Sequence, residues 1–135
     1  MKVRLSEIPS EGLTLSEPFD PAAMNLQTPE ITFPAPLKVT ALFQKERDTL
    51  FVRVEAQGER TMVCGRCLES YSDPYEGRFD LGYSVKGLVV LDLTDDIRQE
   101  ILLTYPVVFL CKESCLGLCP ACGKNLNTGA CSCPR

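Results

Sequence analysis

At 135 residues, 44% hydrophobic and 24% charged, the chain is long enough for one domain with a modest core, and its composition excludes a wholly disordered polypeptide. Its longest apolar run, "ILLTYPVVFL", is about ten residues and contains a proline, too short to span a bilayer. The formal charge of −4 argues against a general nucleic-acid binder, which carries a basic excess, and the lack of histidine removes the commonest general base and the commonest zinc-bound nitrogen.

"MKVRLSEI" alternates as a short strand does, with Val3 and Leu5 on one face and Arg4 on the other. The N-terminus lacks the apolar core of a secretory signal, so the expected location is cytoplasmic. A proline-rich stretch follows, read as loop or extended chain with short strands near "LTLSE" and "EITF", or as a linker that wraps the domain. From Leu37 the pattern sharpens. "LKVTALFQKE" and "TLFVRVEAQG" suit strands turning at "RD", and "GERTMVC" suits a third. "SYSDPYEGRFDLGYSV" continues an antiparallel meander with aromatic and polar alternation, and "GLVVLDL" looks like another strand. In "TDDIRQEILLTYP", Thr94 is expected to cap a helix over residues 95–104, with acids at its positive end and Pro106 beyond its end. The expected fold class is α+β, mainly β: an antiparallel meander, one short helix and a cysteine-rich knuckle tail. Residues 1–110 form a β-rich body carrying the first CxxC pair, and residues 111–135 a metal-binding tail packed on it.

The eight cysteines fall into four pairs: Cys64-x2-Cys67, Cys111-x3-Cys115, Cys119-x2-Cys122 and Cys131-x-Cys133. A reducing cytosol favours metal ligation over a disulfide scaffold. Eight thiolates make two closed tetrahedral sites, the usual form of structural zinc. Two zinc ions are therefore expected. "CPACG" is the strongest knuckle, because Gly123 accepts the positive φ that such a turn requires. Iron–sulfur ligation and a redox-active "CGRC" are the other chemistries open to these thiols, although no thioredoxin-like βαβ pattern surrounds the latter. Two assortments are open. Either Cys119, Cys122, Cys131 and Cys133 close one site in the tail while Cys64 and Cys67 meet Cys111 and Cys115, or Cys111, Cys115, Cys119 and Cys122 share a metal and leave Cys64 and Cys67 to Cys131 and Cys133. The first is preferred, but spacing alone does not choose.

"CGRCLESY", followed by "DLTDDIRQEILLTYPVVFLCKESCLGLCPACGKNLNTGACSC", resembles the YceD-like family of large ribosomal RNA subunit accumulation proteins, over about residues 60–133. The resemblance implies bacterial and plastid proteins linked to accumulation and processing of large-subunit ribosomal RNA. In bacteria the gene often lies beside one for a large-subunit ribosomal protein. Some members keep the CxRC pair and a ligand-capable residue near the position of Cys111 while lacking the distal cysteines, which favours the first assortment. No catalytic residue is carried over.

The function expected on this basis is a non-catalytic, zinc-binding ribosome-biogenesis factor. It would bind large-subunit precursor RNA, a basic ribosomal protein, or both, with no membrane and no small-molecule substrate. Arg66, Lys112, Lys124 and Asn125 are the candidate contacts, each as readily a solvated surface group. The tail's basic excess does not make a patch, because four thiolates on Zn²⁺ add a net −2 per site. An acidic total suits a basic protein partner. A second class is an enzyme, a thiol oxidoreductase or a nuclease using Asp92, Asp95, Asp96 and Glu100. Helix capping is the better account of that cluster. A third is a zinc-containing interaction adaptor unrelated to ribosomes, above which only the resemblance lifts the ribosomal reading.

Overall fold

A computed structural model describes residues 1–131 and 133. Its centre is an antiparallel sheet. Strands β1 (Lys2–Arg4), β2 (Leu13–Phe19), β3 (Ile31–Thr32), β4 (Leu37–Glu46), β5 (Thr49–Val63), β6 (Ser70–Ser84) and β7 (Val90–Asp92) precede one α-helix, α1 (Thr94–Leu103). Strands β4, β5 and β6 form the expected meander, β2 adds to the free edge of β4, and β3 pairs with the far end of β5. A separate two-stranded ladder joins β1 to β7.

Alternation dictates which face is buried. Leu37, Val39, Ala41 and Phe43 of β4 point inward beside Leu50, Val52, Val54 and Ala56 of β5. Their register pairs Phe43 with Val52 and Ala41 with Val54. Helix α1 lays Ile97 and Ile101 into the same core, with Leu26, Ile31 and Phe33 from the segment before β4. Tyr75 of β6 folds across Gly77, where a Cβ would lie 2.5 Å from the tyrosine oxygen. That vacancy lets the Tyr75 hydroxyl meet the Thr104 hydroxyl at 3.0 Å, fastening the end of α1 to the sheet. The outer face carries ion pairs instead, such as Arg53 with Asp80 at 3.1 Å and Arg78 with Glu55 at 3.6 Å. At such exposure each contributes at most about 1 kcal/mol.

Several local expectations are corrected. "TLFVRVEAQG" and "GERTMVC" are one continuous strand, β5, because Gly58 fits against Leu37 rather than breaking the chain; a Cβ there would lie 2.4 Å from Leu37 Cδ2. The alternation over residues 1–8 is cut short by a 3-10 turn at Leu5–Glu7. Thr94 is the first helical residue rather than the cap. Its N–H and hydroxyl both donate to Asp92 Oδ1, at 3.0 and 2.7 Å, so Asp92 satisfies the first amide of the helix.

Candidate metal centres

The first CxxC pair is the turn of the β5–β6 hairpin. Cys64 N–H donates to Glu69 O at 2.9 Å and Leu68 N–H to Cys64 O at 3.0 Å, which closes the strand ends around Gly65, Arg66 and Cys67. Leu68 has φ +62°, a left-handed conformation that glycine would take without strain. The chain leaving α1 then docks here: Gly65 N–H donates to Phe109 O at 2.7 Å. This places Cys111 and Cys115 over the hairpin turn.

The sulfurs of Cys64, Cys67, Cys111 and Cys115 lie within 4.8 Å of one another. Cys64 and Cys115 are separated by 3.7 Å, as are Cys67 and Cys111. A disulfide would need about 2.05 Å. A tetrahedron of sulfurs about 2.3 Å from a central ion has edges of about 3.8 Å. The spacing fits one shared ion, and it is too close for an iron–sulfide cluster to sit between the thiols. Cys64, Cys67 and Cys115 are buried, with Tyr71, Leu110 and Leu118 packed around them.

The second group, Cys119, Cys122, Cys131 and Cys133, meets the same 4.8 Å criterion. Its knuckle closes through Gly123 N–H to Cys119 O and Cys119 N–H to Lys124 O, both 2.8 Å. Gly123 takes φ +75°, as its place after the second cysteine requires. A bridge between Leu118 and Asn125 makes a miniature hairpin. Here Cys119 is buried, Cys122 is exposed, and Cys131 and Cys133 are half-buried. The sulfurs therefore converge in the preferred assortment, and the rival grouping does not form.

Within each group the thiols are pushed in opposite directions. Burial works against ionising Cys64, but backbone N–H groups around it, including Arg66 N at 3.5 Å, outweigh this and bring it down to about 6. Backbone donors at Cys122 and Ala121 bring Cys119 to about 6 as well. Cys115 is lowered by the Asn127 amide, whose Nδ2 donates to its sulfur at 3.3 Å. Once some thiols ionise, the rest resist. Burial and the neighbouring sulfurs push Cys111 up to about 12, and hydrogen bonding to Cys122 with burial pushes Cys133 up to about 11. A divalent cation would remove that conflict, since it would stabilise all four thiolates together.

Of the expected contact residues, Arg66 is exposed but spends Nη1 on Cys115 O at 3.1 Å, and Lys124 donates to Ala130 O at 3.0 Å. Asn125 Oδ1 accepts from both the N–H and the Nδ2 of Asn127, at 2.9 Å each. Lys112 is exposed. Three of these four side chains thus help to fold the tail. The sequence does not single out Asn127, because asparagine in a turn-rich loop signals a turn and does not show that its amide will reach a distant sulfur. Two of the four clustered carboxylates, Asp92 and Asp96, are structural as well. Asp92 is bonded to Thr94, which holds it below the usual range, and Asp96 accepts from the Tyr83 hydroxyl at 2.7 Å. Among the described residues no carboxylates join a third converging group.

These features define a class: a mainly antiparallel β protein with one α-helix among the described residues and two four-cysteine groups able to hold metal. Residues 84–135 match the family described as large ribosomal RNA subunit accumulation protein YceD. The matched region takes in β7, α1 and the tail from Cys111 to Cys133, and it begins beyond Cys64 and Cys67. No curated protein and no solved structure matches the chain. Among the described residues no helix is long and apolar enough to cross a membrane.

Proposed function

We propose that this protein is a non-catalytic, zinc-binding factor that supports accumulation or processing of large-subunit ribosomal RNA by binding the precursor RNA, a basic ribosomal protein, or both. The observation that carries the reading is the family match over residues 84–135, which coincides with the segment that supplies ligands to both cysteine groups. Zinc is the ion that an all-sulfur, single-ion, tetrahedral donor set suits best. Two ions per chain follow from two groups. When bound, zinc would supply charge neutralisation and a rigid tetrahedral cross-link. The first set of cysteines would tie the β-rich body, residues 1–110, to the tail, 111–135, and the second would close the tail on itself.

A binding role is supported by the chemistry of the side chains. The chain lacks histidine, two of its four clustered carboxylates, Asp92 and Asp96, are committed to capping and to Tyr83, and a hollow of about 410 Å³ on the outer sheet face lies among Leu42, Phe51, Arg53 and Asp80. Lys112 and the exposed part of Arg66 are the proposed contacts beside the first knuckle, with Lys124 and Asn125 positioned by their internal bonds. The net charge of −4 becomes about −8 once two zinc–tetrathiolate sites are counted at −2 each. That favours a basic protein as the partner met first, with the encounter speeded by complementary charge. The setting would be the cytoplasm.

Sedimentation of a cell lysate tests this. The protein should travel with immature large-subunit particles and leave them at high salt. If it stays at the top of the gradient at every salt concentration, stable particle binding is wrong.

A further inference from the structure

Asn127 belongs to one metal group by chain position and to the other by contact. It lies in the loop between Cys122 and Cys131, yet its amide faces the first group. Its Nδ2 donates to Cys115 Sγ at 3.3 Å and to Asn125 Oδ1 at 2.9 Å, and its Oδ1 accepts the Leu116 N–H at 2.8 Å. The Leu116 N–H can only donate, so the amide oxygen must face it, and the NH₂ must face the sulfur. Both hydrogens of Nδ2 have acceptors and the oxygen has a donor, so the side chain has one satisfied orientation.

The backbone around it is built for close approach. Gly117, at φ +78°, lies against the first knuckle, where a Cβ would sit 3.3 Å from Arg66 O. Leu126 N–H donates to Gly117 O at 2.9 Å, holding the loop of the second group against the segment that leaves Cys115. A hairpin as short as the Leu118–Asn125 bridge does not persist alone in water. Two of the second group's cysteines, Cys119 and Cys122, lie within it and two, Cys131 and Cys133, follow it, so a metal there would hold it together.

We infer that Asn127 is a latch between the two metal centres: the fold of the exposed centre seats it, and it in turn holds the Cys115 thiolate of the buried centre in the ligating position, so that emptying the exposed centre loosens the buried one. The inference rests on the reading that both cysteine groups hold metal. An N–H donor on a ligating thiolate shares its charge and fixes its direction, and loss of such a contact beyond the ligands weakens metal binding by about 10-fold or more. Asn127 is therefore a positioning residue that acts through Cys115.

The test uses the full chain loaded with cadmium-113, whose resonance reports each centre separately. Wild type should show two resonances, and Cys122→Ser identifies that of the exposed centre by removing it. In Asn127→Ala, and in the isosteric Asn127→Asp, the buried centre's resonance should move and its metal should pass to a chelator about 10-fold faster. Asn127→Asp keeps an acceptor for Leu116 but has no N–H for the sulfur. The exposed centre should be unaffected in Asn127→Asp, and Cys122→Ser should speed release from the buried centre too. If both Asn127 variants bind two ions with the buried centre's resonance and release unchanged, the latch is wrong and the metal reading stands. Equal weakening of both centres in both variants would also overturn it, because Asn127 would then serve only the general fold. Fewer than two ions in wild type would overturn the metal reading and the latch with it.

Discussion

The two cysteine groups offer the same four ligands from opposite surroundings. Cys64 and Cys67 sit on the end of a long β-hairpin, and their partners arrive from beyond the helix, 44 and 51 residues away for Cys111 and Cys115 respectively. The second group is assembled within one short stretch, Cys119 to Cys133, with Cys122 at the surface. A metal in the first would be a long-range cross-link within apolar packing; one in the second would be a local clasp beside an exposed cysteine. Closing a long loop costs more entropy than closing a short one, so a metal in the first group should contribute to the body's fold, and one in the second should mainly order the tail.

The largest effect that would break this comparison is the loss of a ligand. Cys67→Ser should remove one ion and destabilise the body by several kcal/mol, since a structural zinc site is worth about 10 kcal/mol or more. Cys119→Ser should also remove one ion, but leave the near-ultraviolet circular dichroism of the sheet close to wild type. Metal analysis with thermal melts checks both, and equal damage from the two substitutions would erase the distinction.

Acid provides a graded test. The raised thiols, Cys111 at about 12 and Cys133 at about 11, are protonated at neutral pH when no metal is bound. Metal must displace those protons. Binding should therefore release protons to an indicator dye and weaken as pH falls, because protons compete for the same sulfurs. On acidification from pH 7, the exposed centre should empty before the buried one. Ion release followed separately at each centre would show the reverse order if burial does not protect the first.

The smallest effect concerns the knuckles themselves. Gly123 follows the second cysteine of its pair at φ +75°, whereas Leu68 occupies the equivalent place at φ +62° with most of its side chain exposed. Leu68→Gly should relieve about 1 kcal/mol of backbone strain, less what glycine loses in chain entropy. The expected rise in melting temperature is small, and a fall would mean that Leu68 packs more than its exposure suggests.

The strands of the meander were legible because inward residues alternate without interruption, from Leu37 to Phe43 and from Leu50 to Ala56. The length of β5 was not, because Gly58 reads as a break unless the close approach of Leu37 is known. The pairing of cysteines was readable as two possibilities only. Spacing fixes each knuckle, but the contact that selects partners, Gly65 with Phe109, joins residues far apart in the chain. Asn127 was hidden for the same reason: its turn propensity is local, and its bond to Cys115 exists only after the tail has folded back. The "CxxC" and "CPACG" signals carried the chemistry, and the tertiary contacts carried its organisation.

Native mass spectrometry of the chain purified under reducing conditions tests the central claim most directly. The account predicts a dominant species with two zinc ions and no disulfide. A metal-free species whose mass has fallen by the hydrogens of four disulfides would contradict it.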